Sequence, residues 1–272
     1  MKQVGMRDNL NSQSRTVNTF VQVRFVDNVA IGFRRELARR AIEDSLPAPR
    51  LHSLHAQVLK ALLSRGAEGQ LARIVHHAAK SGDAAAVVEY APLAAKHAAA
   101  LHAHRESASH YQTALQYADL LTSEQRADLL ERLAYECYVT GQISEASIAR
   151  RQALELWRQL GNQIRQGDNL RWMSRLAWYL GRKDEAEAYG TEAIKLLEAL
   201  PVSPELAWAY SNRAQLHMLA SQTDEAIAWG SRAIELAQQF DATETLIHAL
   251  NNVGTAQLFA VPVRGSDGAC RR

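Results

Sequence analysis

Cysteine is nearly absent: the 272-residue chain holds two, Cys137 and Cys270. That excludes a disulfide framework and sets the expectation of a reduced, cytoplasmic protein. Six prolines and an aromatic content of 7% argue against an all-β sandwich. No run of eighteen apolar residues occurs, so no membrane span is expected. The first residues, MKQVGMRDNLNSQSRTVN, lack the apolar core of a signal peptide. The net charge of +2 is too small to imply a nucleic-acid partner. Gly-x-Ser-x-Gly, His-Glu-x-x-His and Cys-x-x-Cys are all missing, so neither an enzyme nor a cofactor is expected.

What is present is 47% apolar and rich in Ala, Leu, Glu, Arg and Gln, the strong helix formers. Residues 1–20 are polar and aperiodic and read as a disordered lead-in. Alternation over 21–33 places Val21, Val23 and Phe25 on one face, with Asp27-Asn28 as a tight turn, and predicts a β-hairpin. Helices are predicted over 34–46, 50–64 and 70–80, ended by Pro47-Ala-Pro49, Arg65-Gly66 and Ser81-Gly82-Asp83. Residues 1–50 carry nine Lys and Arg against five Asp and Glu, so the basic excess belongs to the N-terminal piece. Its densest part, 34–40, reads as a solvated helix face with Glu36 and Arg40 paired across one turn.

The dominant signal is internal repetition. Segments 141–161, 181–201 and 221–241 align at intervals of 40 residues, and 103–121 aligns 39 residues before the first. Partner segments lie between them at 127–140, 167–180, 207–220 and 247–259. Small residues recur in register. Ala95, Ala134, Ser174, Ala214 and Gly254 hold one position of the first helix. Ser107, Ala146, Ala186 and Ala226 hold one of the second, and Ala114, Ala153, Ala193 and Ala233 lie seven residues on. Two helices cross closely only where side chains are small. The chain is therefore expected to be an all-α solenoid of about four and a half helical hairpins over 84–259, with an irregular tail at 260–272.

The small-residue spacing and LNNVGTAQL (250–258) resemble tetratricopeptide repeats. The 40-residue period, together with FRRELARRAIEDSLPAPRLHSLHAQVLKAL (33–62) and the 76–115 segment, is similar to the linker and sensor region of large ATP-binding, LuxR-type bacterial transcriptional regulators. That resemblance implies that 21–83 is a winged-helix remnant and helical linker, and that the repeats sense a partner. The family's Phe-Arg-His reads Phe33-Arg34-Arg35 here, and the Gly-Lys-Ser/Thr phosphate loop and the helix-turn-helix are absent. ATP hydrolysis and DNA binding are therefore not carried over, and a truncated or frame-disrupted product is expected. An inactive structural remnant and a DNA-binding regulator stand as alternative readings.

The resemblance also implies that the first helix of each hairpin lines a concave groove. Counting from the small-residue column, the inward residues include Tyr135, Tyr138, Asp168, Arg171, Arg175, Trp178, Tyr179, Trp208, Gln215, Met218, His248 and Asn251. Arginine grips carboxylate or phosphate, and Trp and Tyr supply rigid apolar area. A protein or small-molecule effector is thus the expected occupant. Arg171 and Arg175 share a face and need an anion nearby, unless Asp168 supplies it. The histidines His97, His102, His104 and His110, with His76-His77 before them, lack an acidic or thiol ligand at a recognised spacing, so no metal is expected. Cys137, on a helix, reads as a buried thiol, and Cys270 as an incidental exposed one. An uncapped last hairpin would expose Leu246, Leu250, Val253 and Leu258 and favour self-association.

Overall fold

The computed structural model describes residues 21–24, 30–33, 36–67 and 69–260. Contacts divide the chain into two units, residues 1–70 with 76–83, and residues 71–75 with 84–272. Among the described residues, no helix is long and apolar enough to cross a membrane.

The first unit contains the hairpin β1 (Val21–Arg24) and β2 (Ala30–Phe33), paired antiparallel with Val21 opposite Phe33 and Val23 opposite Ile31. The turn expected at Asp27-Asn28 lies outside the described residues, as do the 1–20 lead-in, the Glu36 side chain proposed to pair with Arg40, Cys270 and the 261–272 part of the tail. Helices α1 (Glu36–Ser45) and α2 (Ala48–Ser64) follow. Proline stands at the first turn of α2, where its missing N–H has no intrahelical acceptor to lose. Helix α3 (Leu71–Lys80) is shared between the two units.

The second unit is an all-α solenoid. Its first helices are α4 (Ala84–Ala100), α6 (Ser123–Val139), α8 (Gln163–Tyr179), α10 (Pro204–Leu219) and α12 (Thr243–Ala260). Its second helices are α5 (His104–Leu115), α7 (Ile143–Gln159), α9 (Lys183–Glu198) and α11 (Thr223–Gln239). A short 3₁₀ turn, Ala118–Leu120, links α5 to α6. Thr122 starts α6 with a reciprocal capping box. Its hydroxyl accepts from the Gln125 N–H, and the Gln125 carboxamide accepts from the Thr122 N–H. The first helix of a hairpin ends in a left-handed residue, which is Gly181 after α8 and Ser221 after α10.

The small-residue columns are the helix crossings. Ala95, Ala134, Ser174 and Ala214 are buried, and so are Ser107, Ala146, Ala186 and Ala226 and the column Ala114, Ala153, Ala193 and Ala233. Gly254 is half-exposed, and a Cβ built there meets nothing within 4 Å. Between hairpins, Leu197, Leu206, Tyr210 and Ile194 form the core, with Leu236 and Trp229 packed against it. Burying a side chain of this size contributes roughly 1.5–3 kcal/mol.

One column escaped the periodic reading. Four residues after the first small position of each second helix stand Tyr111, Arg150, Gly190 and Gly230. In the last two hairpins glycine lets the neighbouring first helices close in. A Cβ on Gly190 would lie 3.0 Å from Ser174 Oγ, and one on Gly230 only 2.2 Å from Val253 Cγ2. In the first two hairpins the same position carries a large side chain.

Candidate functional site

Tyr111 and Arg150 open a groove of about 490 Å³ on the face of the first helices. Lys96 and Ala99 from α4, Asp128, Glu131, Arg132, Tyr135 and Glu136 from α6, and Arg165, Asp168 and Trp172 from α8 line it. Beneath it lies a buried charge layer. Trp157 Nε1 donates to Glu131 Oε1 at 2.7 Å. Arg165 bridges Glu131, at 2.7 Å, and Asp128. Arg150 lies 3.9 Å from Glu131 and 3.8 Å from Asp168, with Trp172 stacked on its guanidinium at 4.9 Å. Burial pushes Arg150 down to about 10, which leaves it charged at neutral pH. Burial also raises Glu131, because its three basic and amide partners only partly offset desolvation. Asp168 is opposite: burial pushes it up, but Arg171 and Arg150 outweigh that and hold it below the usual carboxylate range.

Arg171 belongs to this layer rather than to an open surface. It is buried, and its Nε and Nη2 donate to Asp168 Oδ1 at 2.9 and 2.6 Å. The expectation that Arg171 and Arg175 both reach into the groove is therefore corrected at Arg171, whose charge Asp168 already neutralises. Trp172 and Trp208 sandwich it, at 4.6 and 5.3 Å from its guanidinium.

Arg175 is different. Its Nε donates to Tyr138 Oη at 2.9 Å, and its Nη1 donates to Gln215 Oε1 at 2.8 Å and to His248 Nε2 at 3.2 Å. A guanidinium can only donate, so Nε2 of His248 accepts and Nδ1 carries the ring hydrogen. That N–H donates to Ser211 Oγ at 2.6 Å. Burial, together with Arg175 and Arg171, pushes His248 down to about 4, so it is neutral at pH 7. Every side chain bonded to Arg175 among the described residues is thus uncharged.

The remaining expected residues fall around this cluster. Tyr138 approaches Tyr179 at 3.3 Å between hydroxyls, and Tyr135 sits edge-on to Trp172. Trp208 leans on the His248 ring at 5.3 Å. Tyr135, Tyr179 and Asn251 are exposed, whereas Trp208 and Met218 are half-buried. Trp178 is half-buried against Ala177, Ala186 and Leu216, so most of its ring packs between hairpins. Val139, Tyr179, Leu219 and Phe259, one near the end of each successive first helix at intervals of 40, are exposed, and Tyr179 lies one turn from Arg175 on the same helix. Leu250 and Leu258 are exposed as expected, but Leu246 and Val253 are half-buried, Val253 because it packs on Gly230.

The sequence reading passed over Arg150, Arg165, Trp157 and Trp172. The change from Tyr111 and Arg150 to Gly190 and Gly230 within one column was the available signal. Cys137 is fully buried, and burial raises its thiol to about 11, which suits an inert core residue. The histidines also divide unexpectedly. His104 Nδ1 bonds Glu136 at 2.8 Å and His110 faces Glu106 at 3.6 Å. His76 and His77 lie instead with His55.

No family model matches this chain, and no curated protein matches it. Solved structures do. The Rap conjugation gene regulator of the plasmid pLS20, in complex with a Phr peptide, superposes with TM-score 0.54 at 14% identity, over 68% of this chain and 52% of that one. Aspartyl phosphate phosphatase F from Bacillus subtilis gives 0.55 at 13%, over 82% and 62%. A signal transduction ATPase with numerous domains and a tetratricopeptide repeat sensor, from Pyrococcus horikoshii, gives 0.52 at 13%, over 82% and 32%. The chain thus spans about a third to under two thirds of these proteins. At such identity the likeness establishes a tetratricopeptide-like helical repeat fold.

Proposed function

We propose that the second unit is a non-enzymatic peptide- or protein-binding module, and that its first-helix face takes a segment bearing a carboxylate. The observation that carries this reading is Arg175. It is a half-buried cation whose partners Tyr138, Gln215 and neutral His248 are all uncharged. Partial desolvation without a counter-charge is unfavourable, and an incoming carboxylate relieves it. The exposed side chains of Val139, Tyr179, Leu219 and Phe259 offer apolar area for the rest of the segment. The Rap regulator solved with a Phr peptide supports a peptide as occupant. The 40-residue period, the 33–62 segment and the Pyrococcus horikoshii ATPase with its repeat sensor support the finer reading that the chain is the sensor part of a LuxR-type, ATP-dependent regulator, working in the cytoplasm.

The test is selection of a displayed random-peptide library on the wild-type chain and on Arg175→Ala. The wild type should enrich peptides that share an Asp, Glu or free C-terminus next to apolar residues, and Arg175→Ala should not. Equal enrichment by both proteins, or no enriched class, would overturn the reading. A second reading is favoured by the last helix, where Ile247, Leu250, Leu258 and Phe259 are all exposed. Two copies associating through that face would sediment as a dimer that Leu250→Asp with Leu258→Asp dissociates.

A further inference from the structure

The first unit holds a feature independent of the binding face. His55 on α2 and the adjacent pair His76 and His77 on α3 place one ring nitrogen each so that all three lie within 4.8 Å of one another. The ring centroids are 5.0–5.6 Å apart, and Nδ1 of His55 meets Nδ1 of His77 at 2.8 Å. His55 is buried, His77 is half-buried and His76 is exposed, so the cluster is anchored on one side and open to solvent on the other.

We propose that His55, His76 and His77 form a binding site for a divalent transition-metal ion of the zinc class. Three imidazoles are a sufficient protein ligand set for zinc, with a fourth position filled by water. An all-imidazole set favours zinc, copper or nickel over magnesium or calcium, which prefer oxygen. The geometry needs only a small adjustment. Two nitrogens on a tetrahedral ion stand about 3.3 Å apart for metal–nitrogen bonds of about 2.0–2.1 Å. The 2.8 Å contact must therefore open by about half an ångström, and the distances to His76 must close. In the metal-free contact one of the two Nδ1 atoms carries the bridging hydrogen. On binding, that hydrogen moves to Nε2 of the same ring, and both Nδ1 lone pairs face the ion. No net proton is released by this change of tautomer.

The surroundings favour a neutral ligand set. Burial lowers the pKa of His55 first, and charge on His76 lowers it next, with Lys80 and His52 acting the same way and Glu43 opposing them. Neutral imidazole is the form that ligates. His52 lies one turn before His55 on α2, and its Nε2 would be 3.2 Å from a Cβ on Gly82, so it packs beside that glycine and is not one of the three converging rings. Bound metal would tie α2 to α3, and would stabilise the first unit by an amount that grows with the logarithm of the free metal once that exceeds the dissociation constant.

The test uses the full 272-residue chain, stripped of any affinity tag and of metal. Zinc is titrated in competition with a chromophoric chelator, and cobalt(II) serves as a visible-absorption probe of coordination. The wild type should bind one zinc ion, take up cobalt with the intense bands of a four-coordinate site, and melt at higher temperature with zinc present. His55→Asn with His77→Asn should weaken zinc by more than the roughly 10–100-fold that loss of an outer-shell partner costs. His76→Asn, an exposed change unable to unfold the helix, should weaken it measurably by itself. His102→Asn with His104→Asn should bind as the wild type does. A wild type that binds no zinc, or a His55/His76/His77 variant that binds equally well, would overturn the proposal. Neither result depends on peptide binding at Arg175.

Discussion

The second hairpin and the two that follow share one backbone plan, and one column separates them most sharply. Where Gly190 and Gly230 let helices touch, Arg150 stands fully buried among Glu131, Asp168 and Trp172. The close-packed half is held by apolar burial, which tolerates small changes in charge and no added volume. The open half is held by a compensated charge layer, which tolerates volume and no loss of a partner. A repeat fold can thus accommodate a polar groove in some units by exchanging a glycine for a long side chain, provided that the charges balance locally.

The largest expected effect breaks the open half. Arg150→Ala leaves Glu131 without its strongest coulombic partner in a buried site and should cost about 3–5 kcal/mol in denaturant unfolding. Arg150→Met with Glu131→Gln should recover most of that loss, since neither buried charge remains. In the close-packed half, Ala186→Leu should overpack the crossing and cost about 1–3 kcal/mol, whereas a melting midpoint unchanged by it would contradict the crossing.

Next comes His248. Its folded-state pKa of about 4 lies below the ordinary 6.5, so the unfolded chain binds the proton first as the pH falls. Stability should therefore decline between about pH 6.5 and pH 4, by about 2 kcal/mol once solvent access to the ring is discounted. His248→Gln should flatten the decline in a pH series of chemical denaturation. The smallest effect sharpens the turn comparison. Ser221 holds a left-handed φ of 59° where Gly181 stands one repeat earlier at 73°. Ser221→Gly should raise stability by roughly 0.5–1 kcal/mol in the same assay.

The solenoid was legible in the sequence because its cause is periodic. Ala134, Ser174 and Ala214 are small for the same reason, a helix crossing, and that reason recurs every 40 residues. The proposed binding face was legible only in outline. Tyr138, Arg175 and Gln215 come together in hydrogen bonds and Tyr135 lines the groove, and the pairing of Asp168 with Arg171 could be anticipated from their separation of one turn. Arg150 and Trp172 were hidden, because a departure from a column identifies nothing until the neighbouring helices are placed.

The sequence by itself determined the helix content, the repeat length and the residues at each crossing, since these follow from local propensity and spacing. Only the tertiary structure decided which charges are spent on one another and which remain. Arg171 meets Asp168 while Arg175 meets only neutral groups, and the neighbours His76 and His77 meet His55 from another helix. The physical reason is that helical periodicity sets which face a side chain occupies. The rotation and separation of packed helices then set which groups, tens of residues apart, come within the few ångströms where hydrogen bonds and ion pairs act.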